Sequence, residues 1–496
     1  MDKINECLSF HDLQTVSGLH ALNREFDDML ERLRPDLHAA LKEYRSSPEP
    51  MPADKTSQLL LEVAPIIEAF IAERFKVEAE LAVWRESALD EYTVARFKKE
   101  FVQQRVRRFR GDLSQSFAEL DAWLSERLSA FNPDTDRELT VARFALSLLN
   151  EPDQHSQDIE QLTQWCIRVL QHPESAVTAW TSFTLPQSVD YANLVPLESA
   201  PARDQGVTQL HTNTATLRQR DGFKLTDTRM GIRDVQDHVH YCVYCHEQEG
   251  DFCSKGFPNK KKQPELGLKV NPLGVILTGC PLEEKISEMH ILQRDGHTLA
   301  ALVMAMVDNP MIPATGHRIC NDCMKGCIYQ KQDPVNIPQI ETRILTDVLS
   351  LPFGVEIYDL LTRWNPLRRD QHVMQPYQGR RVLIVGMGPA GFTMAHHLTM
   401  AGCAVVGIDG LKIEPLPQSL LTKPIRDYTS LCEALDERIM SGFGGVAEYG
   451  ITVRWDKNFL KLIYLTLARR ESFRVFGGVR FGGTLKLDDA WQLGFD

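Results

Sequence analysis

Seven cysteines in one stretch constrain this chain more than any other feature: Cys242, Cys245, Cys253, Cys280, Cys320, Cys323 and Cys327. The other four of its eleven, Cys7, Cys166, Cys403 and Cys432, stand singly. Thiolates oxidise and capture metal, so this concentration implies a use. Three uses compete. Disulfides suit small secreted chains, whereas this chain has 496 residues and no charged-then-apolar leader pattern. Zinc could take four thiolates from Cys242-x2-Cys245 and Cys320-x2-Cys323, which leaves Cys253, Cys280 and Cys327 without a role. Iron–sulfur clusters take four thiolates each, in runs spaced C-x2-C and C-x3-C, with proline after the last cysteine. Cys242-x2-Cys245, Cys323-x3-Cys327 and Cys280-Pro281 show all three features, and seven thiolates fall one short of two clusters.

The segments around these cysteines follow a recognisable order. Gly279-Cys280-Pro281-Leu282 leads into a helical stretch, then Gly316-His317-Arg318-Ile319-Cys320, then Asn336-Ile337-Pro338-Gln339-Ile340-Glu341. This resembles the double-cluster domain of the glutamate synthase small-subunit family and the N-terminal part of dihydropyrimidine dehydrogenase. The resemblance implies a helical domain holding one or two [4Fe–4S] clusters. Cys242, Cys245, Cys253 and Cys327 would hold one. Cys280, Cys320 and Cys323 would hold the other, with Glu341 where the family can use a non-cysteine ligand. A long insertion between Cys253 and Cys280 departs from the family pattern. Its Lys260-Lys261-Lys262 run reads as a solvated loop tip, with a docking patch for an acidic partner as the alternative. His238, His240 and His246 are expected around the ligands or on the surface. His246-Glu247 opens like a zinc-protease helix, but Gly250 stands where the second histidine would be.

A second informative stretch begins at Arg380. Val382-Leu383-Ile384-Val385 reads as a buried parallel strand, Gly386-Met387-Gly388-Pro389-Ala390-Gly391 follows it, Phe392 to Met400 reads as helix, and Ala404 to Ile408 as a second strand ending at Asp409. Strand, G-x-G-x-x-G, helix, strand and acid form a dinucleotide fingerprint. Gly386 makes the turn, Gly388 lets a pyrophosphate approach the backbone, and Gly391 lets helix and strand pack closely. The helix start at Pro389 and Ala390 offers free N–H groups to phosphate, and Asp409 can accept from a ribose hydroxyl. The motif alone fits FAD or NAD(P). Its G-x-G-P-A-G form after a cysteine domain resembles the FAD site of the same family, and Gly444-Gly445 with Tyr449-Gly450-Ile451 resembles the family's flavin-side segment, with Thr452 in place of proline.

Residues before about 200 carry helical periodicity, clearest from Ser57 to Phe75, where Pro65 is expected to kink or split the helix. Other helices are expected near 13–44, 80–107, 113–128, 138–149 and 158–170, and in the cysteine region at 283–306 and 342–361. The basic Arg105, Arg107, Arg108 and Arg110 read as a solvated helix face, or as a grip on an acidic partner. The expected class is α+α/β: an all-helical region at 1–200, a linker at 201–223, a helical double [4Fe–4S] domain at 224–375 and an incomplete Rossmann-like FAD/NAD(P)-binding domain at 376–496.

A net charge of −12 argues against a general nucleic-acid binder, and no apolar run reaches transmembrane length. A reducing cytoplasm suits free metal-binding thiols. The family resemblance breaks off at Asp496, before the rest of the FAD domain and the NAD(P)H domain, so NAD(P)H is expected only for a longer or partnered form. The chain is expected to be a fragment, a split-gene product or half of a two-chain enzyme. Two functions follow: an iron–sulfur flavoprotein module passing electrons between NAD(P)H, FAD and [4Fe–4S] clusters to a partner or substrate site, or a non-catalytic scaffold or interaction protein with a structural zinc or cluster cysteine domain.

Overall fold

In the computed structural model, which describes residues 9–131, 136–172, 176–195, 197–201, 206–212, 229–248, 250–260, 263–316, 320–434 and 456–496, local capping fixes where the first helices begin. Helix α1 (Phe10–Gln14) starts at a capping box between Ser9 and Asp12, and α2 (Val16–Leu33) at Thr15, whose side chain accepts from the Gly18 N–H. Helix α3 (Pro35–Ser46) has proline at its first turn, where an N–H is not needed. Helix α4 (Ala53–Phe75) continues through Pro65 and is not split there. A proline inside a helix costs about 3 kcal/mol. Leu60, Val63, Ile67, Phe70 and Ile71 around it are all buried, and each large apolar side chain contributes roughly 1.5–3 kcal/mol. Burial therefore outweighs the break.

Helix α5 (Glu78–Arg96) passes into a π-helical segment, Phe97–Gln103, and then α6 (Arg105–Arg108). The wider turn buries Phe97, Phe101 and Val102 and sets Lys98 Nζ 2.6 Å from Asp237 Oδ2. With α7 (Phe117–Ala130), α8 (Arg137–Leu148) and α9 (Ser156–Gln171), this segment encloses its own core around Trp165, spanning Val94 to Phe183. Residues 13–81 belong instead to one core shared with the cysteine region and the parallel sheet. Core membership thus divides the stretch expected as a single helical region. Strands β1 (Leu197–Pro201) and β2 (Thr208–Thr212) pair antiparallel across the start of the expected linker.

The cysteine region comprises α10 (Ile232–Tyr241), α11 (Phe252–Lys255), α12 (Ile286–Arg294), α13 (Thr298–Asp308), α14 (Asp322–Gly326), α15 (Ile337–Ser350) and α16 (Gly354–Arg363). Each of its two long expected helices is in fact a pair. Gly296, at φ +78°, parts α12 from α13, and Phe353, at φ +60°, parts α15 from α16. Helix α13 is buried from Leu299 to Met306 and packs against α4, α12 and α15.

A three-stranded parallel sheet follows, in the order β3 (Arg381–Val385), β4 (Ala404–Ile408), β5 (Phe473–Phe476). Helix α17 (Pro389–Met400) crosses from β3 to β4; α18 (Gln418–Thr422), α19 (Asn458–Ala468) and α20 (Leu487–Gln492) complete the unit. Buried cations tie it to the cysteine region. Arg469, after α19, places Nη1 2.8 Å from Glu356 Oε2 and 3.0 Å from Asp359 Oδ2 on α16. Arg470 donates to Thr399 Oγ1 and to the His396 carbonyl on α17. Among the described residues no helix is long and apolar enough to cross a membrane.

Candidate functional site

Helix α10 ends at Cys242, which is its C-cap, and Cys245 opens the next short turn. Cys253 lies on α11; Cys323 lies on α14, and Cys327 caps it. Two glycines let these segments meet. A Cβ on Gly279 (φ +73°) would stand 2.5 Å from the Gly256 nitrogen, and one on Gly326 would stand 2.6 Å from the Phe252 carbonyl oxygen. The close crossing aligns Cys280 with Cys253, whose carbonyl accepts the Cys280 N–H at 2.8 Å.

Cys242, Cys245, Cys253 and Cys327 line one cavity, walled also by Ser287, His290, Tyr329, Val335 and Ile337. Burial pushes the Cys242 thiol up to about 12, opposed by the Tyr244 N–H and reinforced by Cys327 and Cys245. Burial likewise raises Cys253, with Asp251 and the other three cysteines adding to it. Burial raises Cys327, while the backbone N–H groups of Tyr329, Val335 and Ile328, aimed at its sulfur, pull the other way. Left to itself, such a site holds protonated thiols. A metal group's positive charge would deprotonate them.

Cys280, Cys323 and Glu341 lie near enough to act on one another electrostatically, and Cys320 acts on Glu341. Cys323 is raised first by burial and then by the charges of Glu341, Glu284, Cys253 and Cys280. Burial pushes Cys280 up to about 12, with Glu284 and Glu341 reinforcing the shift. Glu341, near the start of α15, is raised by burial and by Glu284, with which it shares a hydrogen bond.

Among the described residues no group of three or more His, Cys, Asp or Glu side chains is placed to hold a metal ion. Four lining thiols match the ligand count of one [4Fe–4S] centre, and equally that of one structural zinc. The donor set also fits an anionic iron–sulfur group: sulfur ligands, amides directed at sulfur, and two buried polar side chains without partners. These are His290, with both ring nitrogens unsatisfied, and Ser287, with its hydroxyl unsatisfied. Burial holds His290 neutral, its pKa lowered to about 3.

On the glycine turn, Gly386 takes φ +91° and donates its N–H to the Ile408 carbonyl at 2.8 Å. A Cβ on Gly391 would stand 1.9 Å from the Gly386 oxygen, whereas one on Gly388 would meet nothing within 4 Å. Pro389 and Ala390 open α17, and its N-cap, Gly388, offers no side-chain oxygen, so the first amides are left for an anion. Asp409 accepts from the Met387 N–H and the Leu411 N–H, both at 2.8 Å. It braces the turn from below, with one lone pair on each oxygen remaining. Gly444 and Gly445 lie outside the described residues.

Sequence reasoning missed His290, Ser287 and Glu284. Of the histidines it weighed, none lines the cysteine cavity. His238 accepts from the Asn336 N–H at 3.3 Å, and His240 packs on Tyr92 with ring centroids 4.9 Å apart. A signal for Glu284 existed, since it stands two residues beyond the Gly279–Leu282 segment. For His290 and Ser287 there was only their shared helical face.

Residues 4–76 match the family described as RP005 N-terminal alpha-helical domain. Two proteins of Rickettsia prowazekii (strain Madrid E) are similar to the chain. RP006 is 51% identical over 186 residues, 38% of this chain and 26% of its own length. RP005 is 24% identical over 310 residues, 59% of this chain and 98% of its own length. The glutamate synthase [NADPH] small chain of Mycobacterium tuberculosis is 31% identical over 133 residues, 26% of this chain and 23% of its own length. The chain therefore spans about a quarter of RP006 and of the glutamate synthase small chain. Part of it bears a distant relationship to an oxidoreductase subunit.

Proposed function

We propose that this chain is an iron–sulfur flavoprotein module that passes electrons between a flavin and [4Fe–4S] clusters on their way to a protein partner. One observation carries the reading: Cys242, Cys245, Cys253 and Cys327, which the sequence resemblance groups together, line a single buried cavity. These four would hold one cluster; Cys280, Cys320, Cys323 and Glu341 would hold the second. Gly386, Gly388, Pro389, Ala390 and Gly391 would receive the FAD pyrophosphate, with Asp409 at the ribose end. When bound, FAD exchanges a hydride for single electrons and the clusters carry those electrons onward.

The chain's own residues position and shield. Tyr244 N–H lies 3.5 Å from the Cys242 sulfur and stabilises its thiolate form. Tyr329, Val335 and Ile337 keep water from the cavity. The arginine ties of α19 to α16 and α17 fix the glycine turn relative to the cysteine region. NAD(P)H would act through a further domain or a partner chain, and a reducing, cytoplasmic setting suits the free thiols. Replacing Cys245 with Ser tests the assignment. Loss of about four iron atoms per chain, the content of one [4Fe–4S] centre, with flavin binding retained, is the expected outcome. Full iron retention would overturn it.

A further inference from the structure

Helix α12 turns two polar side chains, Ser287 and His290, toward the cysteine cavity, one helical step apart. Both are essentially inaccessible to water, at 1% and 0% exposure. Neither has a hydrogen-bond partner: the Ser287 hydroxyl and both His290 ring nitrogens are unsatisfied. Leaving a buried polar group unpaired costs about 1–3 kcal/mol, and buried orphans in a folded protein call for an explanation. Glu288 Oε2 and Gln293 Oε1 on α12 are also buried without partners, but neither residue lines the cysteine cavity. The Gln293 carbonyl accepts from Gln236 at 2.8 Å. The neutral imidazole and the hydroxyl each carry one hydrogen to give. The thiol sulfurs around them are, once deprotonated, acceptors only.

We infer that His290 and Ser287 are positioning residues that donate hydrogen bonds to the sulfur of the iron–sulfur group held by Cys242, Cys245, Cys253 and Cys327, and so set its reduction potential. This rests on the function proposed above. Hydrogen bonds to cluster sulfur are among the levers that set such potentials. Reduction adds negative charge, so a donor stabilises the reduced form more than the oxidised one and raises the potential. His290 is not counted as a ligand, because the cavity already supplies four thiolates.

The test is an EPR-monitored reductive titration with dithionite on the reconstituted full chain, compared with His290→Leu, His290→Asn and Ser287→Ala. Iron and acid-labile sulfide are counted for each, and the signal missing from Cys245→Ser identifies the relevant cluster. Expected is unchanged iron with about tenfold less reduced cluster at a given poise in His290→Leu, which is 59 mV for a one-electron couple. Recovery toward the parent value in His290→Asn, and a smaller shift of the same sign in Ser287→Ala, are also expected. Full iron with an unmoved potential in His290→Leu overturns the inference and leaves the proposed function standing. Iron loss in both His290 variants, with Ser287→Ala unmoved, overturns it in favour of ligation or packing. No cluster in the parent chain overturns the function itself, and the inference with it.

Discussion

The N–H of Cys280 donates to the carbonyl of Cys253 at 2.8 Å, so the insertion between these cysteines leaves the site and returns to it at one point. Its neck is closed by the Phe257 N–H on the Leu277 carbonyl at 2.9 Å, and beyond it Leu266, Val270, Leu273 and Ile276 are exposed. Joining Pro258 to Ile276 through two glycines should therefore leave iron content unchanged. The melting temperature should move by no more than about 5 °C, because loop length weighs little on stability. Iron loss on this deletion would mean that the insertion takes part in binding.

The glycine crossing is less forgiving. Gly279→Ala adds a methyl group 2.5 Å from a backbone nitrogen at a positive φ, and Gly326→Ala adds one 2.6 Å from a backbone oxygen. Each should cost about 3 kcal/mol, from overpacking and backbone strain, and lower iron bound per chain. Denaturant unfolding and iron analysis check both, and a stability within 0.5 kcal/mol of the parent, the scale of a neutral surface change, would contradict the close approach.

The glycine turn separates packing from binding. Gly391→Ala meets the Gly386 oxygen at 1.9 Å and should destabilise the fold, whereas Gly388→Ala meets nothing within 4 Å. Gly388→Ala should melt like the parent yet bind FAD at least tenfold more weakly, because the methyl group intrudes where the pyrophosphate would approach. Equal flavin affinity in the two proteins would remove the turn as a dinucleotide site.

Much of this was legible in the sequence, for definite reasons. The β3–α17–β4 order follows from an apolar strand, a glycine turn and a helix, all local signals, and the parallel pairing of Val382 with Val405 is where such a unit puts it. Periodicity failed where long-range packing decides. It set a kink or split at Pro65, where α4 is not split, and ran helices through Gly296 and Phe353, which part them. It marked Ser287 and His290 only as positions on a buried face. Periodicity reports burial and is silent on what lies opposite, so the two orphaned donors became visible only with the cavity. Glu284 stood two residues beyond a segment already singled out, but its pairing with Glu341 is a long-range contact that periodicity does not report.

That carboxyl pair gives a pH dependence in the metal-free chain. Burial pushes Glu284 up to about 7 from an ordinary value of 4.5. A carboxyl raised on folding stabilises below its unfolded pKa, and that contribution is lost as pH rises through the folded value. Glu284→Gln, neutral at every pH, should therefore gain in melting temperature relative to the parent as pH rises from 5 to 8, about the range between the two pKa values. Calorimetry on both metal-free proteins checks this, and a difference independent of pH would show that Glu284 is not held protonated.

Anaerobic purification followed by iron, acid-labile sulfide and zinc analysis decides whether the cysteines hold iron–sulfur clusters. Expected are about eight iron and eight sulfide per chain, two [4Fe–4S] centres, with a brown visible spectrum. About four of each would confine binding to one of the two ligand sets. A colourless protein carrying zinc and no sulfide would rule out the clusters and make the cysteine region a structural support.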